Sequence, residues 1–253
     1  METDQQLLIE IEQKRTEFKS ESYPMSIGEL VNLYEKKEII INPDFQRFFR
    51  WTDTQKTRLI ESLLLGIPVP SIFVFQREDG IWELVDGLQR VSTLLQFMGK
   101  HPTKPALKLQ PTKYLPSLGG MIWGKDEQND DEAEMQAVVD RDEKILPNAL
   151  KLNLKRAKLN LTIILSDTGK NAKFEVFQRL NTGGTYASDQ EVRNSLMIMV
   201  SKPTYTWFND IAKEKDFLET ISLSEKLLEE QYPMELALRH IAIAYYNYTS
   251  KNE

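Results

Sequence analysis

The chain has 253 residues, a formal net charge of -6 and no cysteine, with 41% hydrophobic and 28% charged side chains. This supports one sizeable core, or a core domain with a helical appendage, and excludes global disorder, disulfide staples, thiolate zinc sites and cysteine nucleophiles. The acidic balance argues against a broad phosphate-binding surface, no run reaches the length of a membrane span and no signal-peptide pattern opens the chain, so a cytoplasmic protein is expected.

In chain order, residues 3–19 carry Leu7, Leu8, Ile11 and Phe18 at helical spacing, which predicts a peripheral amphipathic helix packing on this domain or on a partner. Ser26-Ile27-Gly28-Glu29 is a capping-box pattern that opens a short helix with Leu30, Leu33 and Tyr34. Glu38 to Ile41 reads as a short strand leading into Asn42-Pro43. Thr52 or Asp53 caps the next helix, with Leu59, Ile60, Leu63 and Leu64 on one side and Gly66 as its stop. Ile72 to Gln76 and Ile81 to Val85 form a hairpin across Asp79-Gly80, with Gln76-Arg77 at its rim. A helix from Leu88 to Met98 buries Val91, Leu94, Leu95 and Met98.

Residues 101–158 loosen the pattern with Pro102, Pro105, Pro111 and Pro116, a Gly119-Gly120 pair and an acidic run from Asp126 to Glu134. They read as a partly helical insertion covering the core from one side. The acidic run lacks calcium-loop spacing and reads as a solvated face. Lys151, Lys155, Arg156 and Lys158 form either a local basic patch or the solvated face of a core element. Leu159 to Leu165 is a buried strand, and Asn171 to Leu180 a helix with Phe174 and Phe177 inward. Asn181 to Glu191 forms a polar, glycine-bearing loop, and Ser188-Asp189-Gln190-Glu191 caps a helix with Val192, Leu196 and Met199. After Pro203 the chain is helical, including Met234 to Tyr248.

The chemistry concentrates at Asp86-Gly87-Leu88-Gln89-Arg90, where a strand ends and a helix begins. A helix N-terminus attracts anions, and Gly87 lets backbone approach one closely. Asp86, Gln89 and Arg90 bring a carboxylate, an amide and a guanidinium to one small volume, the groups that hold a metal-bound phosphate. The competing reading is a turn in which Asp86 caps the helix and Arg90 is solvated. The two histidines, His101 and His240, lack the spacing of a histidine-metal nuclease. A PD-(D/E)xK reading of Pro43-Asp44 fails because Glu83-Leu84-Val85 lacks the required lysine.

Pro43-x-Phe45-Gln46-Arg47 with Trp51, Glu61 to Pro70, Asp86 to Arg90, Phe177 to Gly184 and Glu191-Val192-Arg193-Asn194 occur in an order that resembles the N-terminal domain of GmrSD-type, modification-dependent restriction endonucleases. The resemblance runs from about Ser26 to Met199. It implies an α+β fold: a ParB- and sulfiredoxin-like core with a small mixed sheet from the Glu38, Ile72, Ile81 and Leu159 segments, flanked by helices, plus an α-helical C-terminal region. The expected division is an N-terminal helix over 1–22, a nucleotide-binding domain over 23–200 and an incomplete helical region over 201–253.

The resemblance further implies binding of a nucleoside triphosphate and Mg²⁺-dependent hydrolysis in anti-phage defence acting on DNA, with an HNH nuclease module missing or separate and an oligomer allowed. Asp86, Gln89 and Arg90 are the expected catalytic residues, with Asp86 as metal ligand. Gln46, Arg47, Gly87, Arg90, Ser92, Thr93, Arg179, Asn181, Thr182 and Gly183 are expected at the nucleotide. Arg suits phosphate oxygens through bidentate contacts. The family pattern reads Asp-Gly-Gln-Gln-Arg, whereas this chain has Leu88 in third place. Either that side chain orients water and hydrolysis is lost, or it packs at the helix start and Leu88 is harmless. The alternative function is a nonhydrolytic DNA- or nucleotide-sensing module that regulates a partner nuclease.

Overall fold

A mixed five-stranded sheet organises the first of two units, Met1–Lys173 and Phe174–Glu253, in the computed structural model. The structure describes residues 2–15, 18–41, 51–124, 144–165, 175–176, 179–180, 189–229 and 231–245. Helix α1 (Glu2–Arg15) is followed by β1 (Ser20–Ser26), α2 (Ile27–Glu35), β2 (Ile39–Ile40), α3 (Asp53–Leu65), β3 (Ile72–Gln76), β4 (Trp82–Asp86) and α4 (Leu88–Phe97). A 3-10 turn at Pro116–Leu118, a two-stranded pair β5 (Met121–Ile122) and β6 (Lys144–Ile145), α5 (Asn148–Arg156) and β7 (Lys158–Ile164) complete the elements of this unit.

The strand order is β1-β7-β3-β4-β2. Strand β3 runs antiparallel to β4 and parallel to β7, while β2 runs parallel to β4. The hairpin and the Leu159 strand therefore form the centre of the sheet, as the β-branched runs predict. Strand β1 is an addition to the four expected segments. Its sequence holds Pro24 and several polar residues, a poor strand on its own, but an edge position tolerates proline, and pairing with β7 from Ser20↔Ile164 to Ser26↔Lys158 supplies the ladder.

Side chains at the helix ends explain where the flanking helices begin. Ser26 Oγ accepts the Glu29 N–H at 3.1 Å to open α2. At α3, Thr52 Oγ1 accepts from the Gln55 N–H while Gln55 Oε1 accepts from the Thr52 N–H at 2.9 Å, a reciprocal capping box. Gly66, at φ 71°, ends α3 in the left-handed conformation that glycine adopts without strain.

The core joins Ile27 and Leu30 of α2, Ile60 and Leu63 of α3, Ile72 and Val74 of β3, Val91, Leu94 and Leu95 of α4 and Leu159 and Leu161 of β7. Leu107, Leu109, Leu118, Trp123 and Leu146 enter the same cluster. Residues between His101 and Lys158 thus supply core side chains as well as cover. Glu61 is buried in α3, and its carboxylate accepts from the Thr112 hydroxyl and from the N–H groups of Tyr114 and Leu115, which fastens this stretch to the helix.

Helix α1 stops at Arg15, so Phe18 lies beyond it. Leu7, Leu8, Ile9 and Ile11 are all exposed.

In the second unit, α6 (Asp189–Val200) packs on α7 (Lys202–Ile211) and on α10 (Tyr232–Tyr245), with α8 (Lys215–Thr220) and α9 (Glu225–Glu229) between them in sequence. Ile198, Tyr205, Phe208, Met234 and Ala237 are buried there, in keeping with the helical run expected after Pro203. The acidic run, Phe174, Phe177, the Ser188 cap and the end of the expected Met234 to Tyr248 helix lie outside the described residues.

Candidate functional site

A β-bulge in β4 precedes Asp86, which stands at the C-terminal end of that strand. Phe73 pairs with Asp86 but Val74 pairs with Leu84, so Val85 is an extra residue on β4. Leu84 and Val85 are consecutively buried, the phase break that a bulge introduces. Bulges re-aim side chains next to functional sites, and here the re-aimed residue is the carboxylate.

Gly87 follows at φ 104° as the N-cap of α4, with no side-chain cap hydrogen bond. A Cβ there would meet Ile72 Cγ1 at 3.0 Å and Cγ2 at 3.2 Å. The site requires glycine for both its backbone angle and the close approach of β3.

Arg90 stands one helical turn above Asp86. Its Nη2 donates to Asp86 Oδ2 at 2.7 Å, and its Nη1 donates to the carbonyls of Pro70 and Ser71 at 2.6 and 3.1 Å. The guanidinium therefore clasps the chain entering β3 to the helix leaving β4. Its side chain is only 11% exposed against 34% for Asp86, so the carboxylate forms the open side of the pair. Three of the five N–H donors of the guanidinium are spent in these contacts. The solvated Arg90 of the competing reading is thereby corrected: burial and two backbone acceptors fix it. Asp86 does not cap α4 either; its carboxylate faces Arg90.

Gln89 has a different task. Its Oε1 accepts the Trp51 N–H at 3.1 Å, tying the start of α4 to the residue that precedes the α3 cap. Leu88 packs against the hydrophobic core. Ser92 and Thr93 are both 0% exposed, and the Thr93 hydroxyl donates to the Gln89 carbonyl at 2.6 Å. Neither side chain reaches the open side of Asp86.

Gln46, Arg47, Asn181, Thr182 and Gly183 lie outside the described residues. Arg179 belongs to the second unit, where its side chain is 78% exposed and its Nε stands 3.7 Å from Glu175. Of the expected site residues, the structure brings together Asp86, Gly87, Gln89 and Arg90. Sequence reading missed the Pro70 and Ser71 carbonyls and the Trp51 amide, because backbone partners carry no residue signature; Pro68 and Pro70 were the available hint of an extended chain with outward carbonyls.

Among the described residues, no group of three or more acidic or histidine side chains could hold a metal. Asp86 could contribute a single carboxylate, one oxygen of which is engaged with Arg90. Such a donor fits Mg²⁺ that arrives with phosphate and keeps several waters, and does not fit an all-protein cage.

The basic cluster divides. Lys151 is buried, and its Nζ and that of Lys155 each lie 5.7 Å from the centre of the Trp123 ring, cation–π contacts that serve the core. Arg156 and Lys158 line a groove of 590 Å³ with Asn153, Asn160 and residues Leu63 to Val69.

In the second unit, the motif residues Arg193 and Asn194 build a polar network. Gln190 Nε2 donates to Asn194 Oδ1 at 2.7 Å, Asn194 Nδ2 donates to Gln231 Oε1, and Arg193 pairs with Glu235 at 3.2 Å. Gln190 and Asn194 are 2% and 0% exposed, so these contacts fasten α6 to α10.

Residues 27–198 match the family model described as GmrSD restriction endonuclease, N-terminal domain. No curated protein and no solved structure matches the chain. The match spans the whole sheet apart from β1, together with α2 to α5 and most of α6.

Proposed function

Because the chain belongs to the family of GmrSD restriction endonuclease N-terminal domains, we propose that it is the nucleotide-binding part of a bacterial restriction system, with the β4–α4 corner as its phosphate grip. The supporting observation is the convergence of Asp86, uncapped Gly87 and Arg90 within one turn of the end of β4. Glycine at the N-cap gives this ten-residue helix no side-chain cap, and a helix N-terminus carries the partial positive charge that favours an anion. Arg90 keeps two N–H donors beyond its contacts with Asp86, Pro70 and Ser71, and these can serve a phosphate oxygen.

Two further features favour this corner. Strand β2 runs parallel to β4, so both strands end on the side where Asp86 lies, and Trp51, after the connection from β2, is held by Gln89. Gln46 and Arg47 sit in that connection and are assigned to the same nucleotide. The mixed sheet likewise supports assigning a ParB- and sulfiredoxin-like core.

Asp86 would hold Mg²⁺, which supplies charge neutralisation on the phosphates. The protein contributes positioning and electrostatics, which is most of what phosphoryl transfer demands. Within this reading, Ser92 and Thr93 support α4 from inside and Gln89 positions the Trp51 end of the connection.

The second reading, a nonhydrolytic sensor of nucleotide or DNA acting on a partner HNH nuclease, rests on a specific observation: the Gln89 side-chain Oε1 accepts from the Trp51 N–H. Leu88, packed on the core, offers no polar atom to a water.

The test is a titration of each nucleoside triphosphate with Mg²⁺, followed by phosphate release with and without DNA. Arg90→Ala is expected to weaken binding more than tenfold, since one charge-assisted hydrogen bond contributes roughly 1.5–3 kcal/mol. Thermal melting checks that the variant stays folded. Release abolished by Asp86→Ala supports the enzyme; binding without release supports the sensor. Unchanged affinity in a folded Arg90→Ala protein removes the site from both.

A further inference from the structure

Strand β7 begins before its neighbour β3 does, and the groove beside Arg156 and Lys158 lies at that end. Ile72 opens β3 in register with Leu161, so Lys158 to Asn160 have no β3 residue beside them. Continued backward, the same register would set Val69 against Lys158, and the Lys158 carbonyl would take its hydrogen bond from residue 70. Pro70 has no N–H to give, and its carbonyl is held by Arg90 Nη1 at 2.6 Å. The ladder therefore stops at Ile72.

Strand β1 does not make up the loss. Alternate residues of an antiparallel pair turn their N–H and C=O toward the partner. The Ile27 N–H donates to the Ala157 carbonyl at 2.9 Å and the Leu165 N–H to the Lys19 carbonyl at 3.1 Å, so every second residue from Ala157 onward faces β1. Lys158 is out of phase with these and turns its backbone to the β3 side. Among the described residues, its N–H and C=O have no partner there.

Side chains complete the groove around this unpaired stretch. Leu64, Leu65, Ile67 and Val69 form an aliphatic wall, with Leu65 and Ile67 each 45% exposed. Arg156 and Lys158 bring two exposed cations, neither paired with a carboxylate among the described residues. None of the residues lining the groove is acidic or aromatic.

These features discriminate between ligands. Nucleic-acid bases stack on aromatic rings, and this wall has none. A small apolar ligand calls for a site that buries most of its surface, whereas this wall is open to solvent. An extended peptide uses every part: backbone against the unpaired strand, aliphatic side chains on the wall and carboxylates on the cations. Since Leu159 turns to the core and Lys158 to the opposite face, a strand added here presents its alternate residues to the wall and to the cations. We propose that the groove binds an extended segment of a partner protein in which aliphatic and acidic residues alternate, added as a short strand beside the start of β7.

Fluorescence polarisation of a labelled pentapeptide, Val-Glu-Ile-Glu-Val, titrated with the full chain to about 0.5 mM tests this. Saturable binding is expected, weakened about tenfold or more by Arg156→Glu/Lys158→Glu. N-methylation of the peptide backbone, which keeps the side chains and removes the donors, abolishes it. A Val-Lys-Ile-Lys-Val peptide binds the charge-reversed variant in preference to the parent. Thermal melting checks the variant, and the N-methylated and lysine peptides test the parent protein without any substitution. Absence of saturable binding, equal binding of the N-methylated or lysine peptide to the parent, or a folded charge-reversed variant that binds like the parent overturns the proposal. So does decathymidylate or decanoate that binds more tightly than the peptide and is lost in the same variant. Asp86 and Arg90 do not line the groove, so phosphate binding at their corner stands or falls separately.

Discussion

Gly87 joins two demands in one residue, a left-handed backbone and a gap narrower than a methyl group beside Ile72. Gly87→Ala is therefore expected to cost about 1–3 kcal/mol of stability, from backbone strain and overpacking together, as read by urea unfolding. A double-mutant cycle with Ile72→Ala, whose own cavity cost is thereby subtracted, isolates the steric share, since that change makes room for the methyl group but not for the φ of 104°. His101 offers a different residue-scale test. Burial, then the nearby charges of Lys104 and Lys56, lowers its pKa below the ordinary 6.5. Its Nδ1 accepts from the N–H groups of Thr103 and Lys104, an arrangement that needs an unprotonated nitrogen. The unfolded chain takes up the proton first, so this contribution is complete above pH 6.5 and declines as pH falls from there toward the folded-state value. Melting temperature should drop on acidification through that window, and His101→Asn, which keeps an acceptor but cannot titrate, should flatten the slope. That Asp86 and Arg90 share one small volume was legible from the strand-to-helix junction; their ion pair was not, because the sequence pattern assigns the carboxylate to a metal and the guanidinium to phosphate. The Pro70 and Ser71 carbonyls were not, because their proximity is produced by the fold.

Elements were legible where local chemistry and burial agree. The α3 cap, its Gly66 stop and the β3–β4 hairpin follow from capping, glycine and β-branched patterns that act within a few residues. Thr52→Ala is expected to destabilise the fold by about 1 kcal/mol through loss of the capping box, measured by the shift in denaturation midpoint. Strand β1 escaped notice because it is made by its partner: Pro24 and its polar neighbours have little strand preference until β7 presents a ladder. The bulge at Val85 escaped for a related reason, since two adjacent apolar residues read equally well as a regular buried strand. That a helix opens the chain was legible, but the expectation that it includes Phe18 failed, since α1 ends at Arg15.

At the scale of the molecule, the two units have separate cores, and the motif Arg193-Asn194 belongs to the second as an internal fastening. Asn194→Ala leaves Gln190 and Gln231 without their shared partner and should cost about 1–3 kcal/mol locally. Hydrogen exchange is expected to quicken across α6 and α10 while β3, β4 and α4 keep their protection; a uniform increase would show that the units open as one. Family membership was legible only jointly, because each motif is short and several of its residues turn out to be structural. Within the site, Asp86 cancels most of the charge that Arg90 brings to the corner. A polyanion approaching it alone meets almost no net attraction, so affinity without a divalent ion should respond weakly to ionic strength. Asp86→Asn would unmask the guanidinium: metal-free triphosphate should then bind more tightly, with a steeper salt dependence, while the benefit of adding Mg²⁺ disappears.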